Sequence, residues 1–213
     1  MKDVIKSIRK SDPAMKRSPE VLLYPGFWAV LFHRLAHRLY RLRFFFIARF
    51  ISQLSRFLTG IEIHPGAVVG KGLFIDHGAG VVIGETSEIG DNVIMYQGVT
   101  LGGTGKEKGK RHPTIGNNVF IGAGATILGP FNVGDNSRIG AGSVVLREVP
   151  ANCTVVGVPA RVVVRHDNKT SVDRLDQVRL PDPVTTEICA LRAKIEQLEA
   201  KMEKMKKQGE ITK

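Results

Sequence analysis

The chain has 213 residues, 43% hydrophobic and 24% charged, with 23 Gly and a formal net charge of +11. These values suit one substantial globular domain with appendages. They exclude a transmembrane protein, because the most apolar run, Phe44 to Ala48, is bounded by Arg43 and Arg49 and is far short of a span. Two cysteines, Cys153 and Cys189, lie in different regions without metal-type spacing, so both read as reduced thiols in a cytoplasmic protein. The N-terminal stretch from Met1 to Lys10 alternates charges and contains no apolar run of the kind a signal peptide needs.

The charge is concentrated at the start. Residues 1–60 carry 12 Lys+Arg against 3 Asp+Glu, while the rest of the chain is nearly balanced. A basic segment of this kind can meet nucleic acid, a membrane surface or an anionic small molecule. No nucleic-acid motif accompanies it, so the expectation is a solvated or subunit-facing helix, with neither nucleic acid nor membrane as partner. Ser11-Asp12-Pro13 reads as a helix start, with Asp12 as cap and Pro13 at the first position. Residues 20–58 read as helix, with Leu31, Leu35, Leu39 and Leu42 at three- and four-residue spacing, and Gly60 is a stop. Residues 1–60 are therefore expected to form an N-terminal helical segment.

From residue 63 a period of six takes over. One register runs Ile63, Val69, Ile75, Val81. A two-residue shift gives Ile83, Ile89, Met95, Leu101. After an interruption a third register runs Ile115, Ile121, Ile127, Val133, Ile139, Val145. Gly often follows at once. A period of six fits neither a helix nor a long strand, but it fits a short strand and a tight turn repeated. Three such units close a triangular coil of about 18 residues, the geometry of a hexapeptide β-helix. The expected fold is mainly β: a helical N-terminal segment, a left-handed parallel β-helix over 61–165, and a short C-terminal coiled-coil helix. The interruption, residues 102–113, is polar, basic and Gly-rich, and is expected to be an extruded loop with a function.

Beyond Pro159 the repeat fades. Residues 166–183 read as a linker. Over 184–207, Ile188, Leu191, Ile195, Leu198, Met202 and Met205 alternate spacings of three and four, an a/d stripe suited to a short coiled coil on a trimer.

Glu62 and His77 stand a little under one coil apart in sequence, so they can lie on neighbouring rungs. A carboxylate bonded to one imidazole nitrogen fixes the tautomer and strengthens the other nitrogen as a base. A structural turn histidine is the alternative. His33 and His37 are four apart on a helix but lack a third ligand, so no metal is expected. His64 precedes Pro65 and reads as a turn residue. His112, beside Arg111 in the loop, is better placed for substrate. A prism with three flat faces offers no deep pocket, so a site is expected in the groove between subunits.

The sequence resembles the bacterial serine acetyltransferase family over about residues 11–165. The matching segments are Asp12-Pro13-Ala14, Ile61-Glu62-Ile63-His64-Pro65, Asp76-His77-Gly78, Gly84-Glu85-Thr86, Val99 to Lys106, Arg111-His112-Pro113, Ile139 to Val145 and Gly157-Val158-Pro159-Ala160-Arg161. The resemblance implies direct acetyl transfer from acetyl-CoA to the L-serine hydroxyl, giving O-acetyl-L-serine for cysteine biosynthesis, without acyl-enzyme or metal. It implies His77 as general base and Glu62 as its orienting carboxylate, Glu standing where some members have Asp. Asp12 and Asp76 would hold the substrate ammonium, Arg111 its carboxylate, and His112 would complete the pocket. CoA would lie near Gly103, Thr104, Lys106, Ala123 and Ala141. L-cysteine is a feedback inhibitor in many members.

Two features depart from the family pattern. Longer members pair trimers into hexamers through a larger N-terminal domain, whereas only a short segment precedes Asp12 here, so a homotrimer is expected ahead of a hexamer. Members that dock on cysteine synthase end in Ile, whereas this chain ends Gly-Glu-Ile-Thr-Lys, so that partner is not carried over. Rival readings are a hexapeptide acetyltransferase for a sugar or antibiotic, a γ-type carbonic anhydrase, for which His64, His77 and His112 have the wrong spacing, and a membrane-surface scaffold.

Overall fold

The computed structural model describes residues 2–12, 14–105, 108–165 and 183–210. The chain opens with α1 (Lys2–Ser11), a 3-10 turn (Ser18–Leu23), α2 (Pro25–Arg41) and α3 (Phe45–Thr59). Among the described residues fifteen short strands follow. They are β1 (Glu62–Ile63), β2 (Val68–Val69), β3 (Phe74–Ile75), β4 (Val82–Ile83), β5 (Glu88–Ile89), β6 (Ile94–Met95), β7 (Thr100–Gly102) and β8 (Thr114–Ile115). They continue with β9 (Phe120–Ile121), β10 (Thr126–Leu128), β11 (Asn132–Val133), β12 (Arg138–Ile139), β13 (Val144–Val145), β14 (Cys153–Gly157) and β15 (Ala160–Arg165).

Every third strand falls in the same sheet. The first sheet is β1-β4-β7-β10-β13, the second β2-β5-β8-β11, and the third β3-β6-β9-β12-β14-β15. All pairings are parallel except the final hairpin, β14 with β15. Successive strands thus form a three-sided coil, and the length of each coil is read from the pairing. Ile83 faces Leu101 and Ile115 faces Val133, each pair one plain coil of three hexapeptides apart. Ile63 faces Ile83 and Ile75 faces Met95, across a slightly longer coil. Ile89 faces Ile115 and Met95 faces Ile121, across the longest coil, which carries the interruption.

These differences in coil length explain the register breaks in the sequence. The two-residue shift is an enlarged corner, His77 to Gly80, between β3 and β4. The long interruption is a larger expansion of the corner between β7 and β8. Val81, expected as an inward strand residue, precedes β4 instead, and Ile83 takes the rung above Ile63. Val81 is nonetheless fully buried, as are Ile61, Ala67, Ser87, Val93, Val99, Ala125, Ser137 and Ser143. Most hexapeptides therefore bury two residues, the strand aliphatic and a second, often smaller one two positions earlier that fills the corner, while Val69 and Phe131 are only partly buried. Burying each large aliphatic contributes about 1.5–3 kcal/mol, and that column is the main cohesive element of the prism.

One corner is held by an asparagine ladder. Asn92, Asn118, Asn136 and Asn152 all adopt φ between 56° and 58°. Each side-chain amide donates to the next, at 3.4, 3.2 and 3.2 Å. Asparagine suits this place because it tolerates the left-handed region and its short amide reaches the neighbouring rung.

The helical segment differs from its expectation. The chain breaks at Leu42 to Phe44, where Arg43 takes φ 67°, and residues 20–58 form a 3-10 turn and two α-helices instead of one helix. Gly60 does stop α3, with φ 71° and its N–H on the Arg56 carbonyl at 2.8 Å. The leucine stripe faces outward: Leu35 is 49% and Leu42 66% exposed, whereas Phe27, Ala29, Val30, His33 and Ala36 are buried. The small residues Gly26, Ala29 and Ala36 on the inner face let α2 rest closely on β3 and β1. Gly26 shows how closely, since a Cβ there would lie 2.4 Å from the Ile75 carbonyl oxygen. Ser52 of α3 donates to the Ile63 carbonyl at 2.8 Å.

The C-terminal helix α4 (Pro183–Glu210) is a separate compact unit. Its stripe, from Ile188 to Met205, is exposed throughout. The expected linker, residues 166–183, falls outside the described residues except for Pro183.

Candidate active site

The expected site residues separate into two groups on two corners of the prism. The first corner lies between the third sheet and the first. Here the enlarged turn places His77 in the left-handed region, φ 57°, with its side chain 73% exposed. Its N–H donates to Asp76 Oδ1 at 3.0 Å, and its Nε2 lies 4.0 Å from Asp76 Oδ2. Burial, the largest influence, raises the Asp76 pKa; His77 opposes the rise and Asp12 adds to it. Asp12 belongs to this group. It follows the C-terminus of α1, correcting the expectation that it starts a helix, and Pro13 lies outside the described residues. Its Oδ1 accepts the Ala14 N–H at 2.7 Å, and its Oδ2 accepts the Tyr24 hydroxyl. That hydrogen bond, with burial and the Asp12 charge, pushes the Tyr24 pKa up to about 12.

Glu62 sits on β1, near this corner. Its carboxylate pairs with Arg56 at 3.1 Å. Among the described residues the carboxylate within ion-pair range of the His77 ring is Asp76, and no ion pair joins the ring to Glu62. The same corner continues down the prism through Gly98, Ala123-Gly124 and Ala141-Gly142. Their backbones stack, Gly124 N–H on Gln97 O and Gly142 N–H on Ala123 O, both at 2.8 Å. A Cβ on Gly124 or Gly142 would meet nothing within 4 Å, so the edge is an open strip of backbone.

The second corner lies between the first sheet and the second, where the long loop leaves. Gly103 packs on Arg111, 3.1 Å separating its would-be Cβ from the Arg111 carbonyl oxygen, and Thr104 follows it. Lys106 lies outside the described residues. Arg111 and His112 close the loop, and both are tied to Thr86 one rung away. Thr86 Oγ1 accepts the N–H of Arg111 at 3.0 Å and of His112 at 3.1 Å, and donates its own proton to His112 Nδ1 at 2.9 Å. That uses the full capacity of a hydroxyl, two acceptor sites and one donor. The Thr86 N–H also points at Nδ1, at 3.2 Å. A backbone N–H only donates, so Nδ1 carries a lone pair and the ring proton is on Nε2. Burial first, then Arg111, lowers the His112 pKa, which keeps the ring neutral.

Sequence reasoning matches Gly84-Glu85-Thr86 to the family but gives it no task, and it misses Tyr24 and Tyr40. Glu85 pairs with Arg111, and Tyr40 donates to Glu85 at 2.8 Å. The available signal is spacing: Thr86 and His112 are separated by the same step as the rungs that flank the loop.

His33 and His37 face each other on α2 with ring centroids 5.6 Å apart. His37 Nδ1 meets the Pro65 carbonyl at 2.9 Å. Among the described residues no group of three His, Cys, Asp or Glu side chains could hold a metal, and no helix is long and apolar enough to cross a membrane.

A triangular coil of hexapeptides, with an exposed imidazole and an open backbone edge, defines a hexapeptide-repeat transferase on a left-handed parallel β-helix. Residues 112–147 match the family described as bacterial transferase hexapeptide (six repeats). The chain belongs, more narrowly, to the serine acetyltransferase family. It is 57% identical to the serine acetyltransferase of Synechococcus elongatus over 197 residues, 92% of this chain and 80% of that protein. It is 55% identical to that of Bacillus subtilis over 207 residues, 97% of this chain and 95% of the relative. Among solved structures it resembles the serine acetyltransferase of Neisseria gonorrhoeae in complex with serine, with TM-score 0.74 and 46% identity over 76% of this chain and 67% of that one. A serine acetyltransferase in complex with cysteine superposes with TM-score 0.79 and 42% identity, covering 83% and 69%. The chain spans 64% of the length of a further N. gonorrhoeae structure of the enzyme.

Proposed function

We propose that this chain transfers an acetyl group from acetyl-CoA to the hydroxyl of L-serine. The observation that carries the reading is the His77 corner: an exposed imidazole beside Asp76, at the head of an open backbone strip. The mechanism follows from these groups. The carboxylates of Asp12 and Asp76 hold the substrate ammonium, and Arg111 holds its carboxylate. His77 takes the hydroxyl proton as the serine oxygen attacks the thioester carbon. Glu62 is read as the carboxylate that orients that base, although here it pairs with Arg56 and not with the His77 ring. The tetrahedral oxyanion forms where a neutral donor such as His112 Nε2–H can meet it. Collapse breaks the carbon–sulfur bond, and the proton passes from His77 to the CoA thiolate. The open strip at Ala123-Gly124 and Ala141-Gly142 suits pantetheine, whose amides can reach the backbone groups that the Gly124 and Gly142 N–H bonds to Gln97 and Ala123 leave uncommitted. Gly103 and Thr104 are read as lining the other wall, and Lys106, expected to join them, lies outside the described residues.

The two groups occupy different corners of one prism, so a complete site needs the first corner of one copy against the second corner of another. This supports a homotrimer, in which three identical grooves close the ring. The outward apolar faces of α2 and α3, where Phe46 and Phe57 are each 85% exposed, and the α4 stripe are read as surfaces between copies. L-Cysteine, which shares the ammonium and carboxylate of serine, is read as an inhibitor at the same pocket. A cytoplasmic location goes with acetyl-CoA as substrate.

The test is steady-state release of CoA thiol by the purified chain with L-serine, a galactoside or chloramphenicol as acceptor. Serine is expected to be acetylated and the others not. Turnover of a sugar without turnover of serine would refute the reading. His77→Ala is expected to lower kcat by about 100-fold or more, the range for losing a general base.

A further inference from the structure

We propose that Glu85, held by Tyr40 of α2, is the positioning residue that sets the Arg111 guanidinium for the substrate carboxylate. The inference rests on the reading that Arg111 binds that carboxylate. It concerns two residues that the reaction itself does not use.

Arg111 emerges from the long loop and is part-buried, 28% exposed at its side chain. A guanidinium on a Gly-rich loop has many rotamers, and holding one of them costs side-chain entropy. A bidentate grip on a carboxylate needs the fork within a narrow range of angles. Something must supply the order before substrate arrives. Glu85 does so from the neighbouring rung: its Oε2 accepts from Arg111 Nη2. Arg111 Nη1 lies 3.5 Å from the Gly109 carbonyl, a marginal contact, so that edge of the fork stays available to a ligand.

The carboxylate of Glu85 is itself fixed. Its other oxygen, Oε1, accepts the Tyr40 hydroxyl at 2.8 Å. With one donor on each oxygen it resists rotation. Tyr40 in turn packs edge-on against Phe45, ring centroids 5.0 Å apart, and His64, 5.8 Å apart. The chain of contacts runs from the packed end of α2, through Tyr40 and Glu85, to the loop. Arg111, then Tyr40, also keep the Glu85 pKa below its ordinary value, so the carboxylate remains charged. Thr86, next in sequence, pins the backbone of the same loop end. Backbone and side chain of Arg111 are thus located from two adjacent residues of one corner.

The experiment compares L-serine with L-serinamide, which keeps the ammonium and hydroxyl and lacks the carboxylate, on the purified full chain. Arg111→Ala comes first and is expected to abolish the preference for serine. A preference that survives Arg111→Ala would overturn the carboxylate reading itself, separately from any role of Glu85. Glu85→Gln is then expected to raise the KM for serine about tenfold, as for one lost charge-assisted hydrogen bond. The kcat and the KM for serinamide should stay within about twofold of the parent. Tyr40→Phe, which keeps the packed ring and removes only the hydroxyl, is expected to move the same preference about threefold in the same direction. The double variant Glu85→Gln with Arg111→Ala should match Arg111→Ala alone. The proposal is overturned if Glu85→Gln leaves the serine preference intact, if it raises both KM values alike, or if its effect adds in full to that of Arg111→Ala. Any of these would mark Glu85 as a scaffold residue only.

Discussion

Gly84→Ala isolates the geometry of the second corner with a single methyl group. A Cβ on Gly84 would lie 2.0 Å from His112 Cδ2 and 2.1 Å from Nε2. Carbon atoms rest at about 3.5–4.0 Å, so the ring must retreat by about 1.5 Å. It has little freedom to do so, because Nδ1 is held by Thr86 at 2.9 and 3.2 Å. Displacement by that amount forfeits both contacts, worth about 0.5–1.5 kcal/mol each, which is about 1–3 kcal/mol together. For a chain of this size such a loss lowers Tm by roughly 2–12 °C. The functional cost is at the upper end of the same range, since an error of about 1 Å in a positioned group can cost about 100-fold in rate. Gly84 does not adopt a left-handed φ, so the alanine backbone itself brings no strain. The assay is thiol release at saturating acetyl-CoA with serine varied, beside a thermal melt. The expected result is a loss of about 100-fold in kcat/KM with the fold retained. On a His112→Ala background the same change should cost almost nothing further, because the obstructing ring is gone. Near-parental kcat/KM in Gly84→Ala would refute the argument.

Three other outcomes follow from the fold. His33 is 4% exposed and its pKa is lowered to about 3, first by burial and then by His37, Arg34 and His64. The unfolded chain therefore takes up this proton first. The contribution is constant above about pH 6.5 and is lost as pH falls toward about 3, by up to about 1.4 kcal/mol per pH unit. Denaturant midpoints against pH should decline across that window, and His33→Leu should flatten the decline. Asn118→Ala should destabilise by about 1–3 kcal/mol, from its φ of 56° and its amide bonds to Asn92 and Asn136. Asn118→Gly should cost less, as glycine meets no φ penalty; equal midpoints for the two variants would contradict this. Gly26→Ala should lower Tm by several degrees, because the new methyl would press on the Ile75 carbonyl and lift α2 from β3.

The six-residue period makes the prism legible before any coordinates, because burial in a solenoid recurs at fixed phase. Its two breaks are visible as well: the long one reads as an extruded loop, whereas the meaning of the short one stays hidden. A shift between Ile75 and Ile83 reads as noise in a pattern, whereas in three dimensions it is the enlarged corner that presents His77. The outward leucines of α2 mislead for a related reason. Periodicity reports an apolar face without saying what covers it, and here the small residues Ala29 and Ala36 take the inner side. Arg111 and His112 are found through adjacency to the resuming repeat. Their supports, Tyr40 and Glu85, are hidden because each contact joins residues far apart in the chain, Tyr40 to Glu85 and Glu85 to Arg111. A groove between subunits is expected from the flat faces of a prism, but which residue stands on which corner emerges only from the strand pairing.

The antiparallel pairing of β14 with β15 has a consequence for the prism as a material. Parallel rungs are in principle a template without a last member, for each leaves a row of amides and carbonyls ready for the next chain. Reversing direction at β15 presents the wrong polarity for an incoming rung on the third sheet, and α2 and α3 pack on the first rung at the opposite end. With one sheet closed by a reversed strand and the first rung covered by helices, the stack is guarded against growing into a fibre.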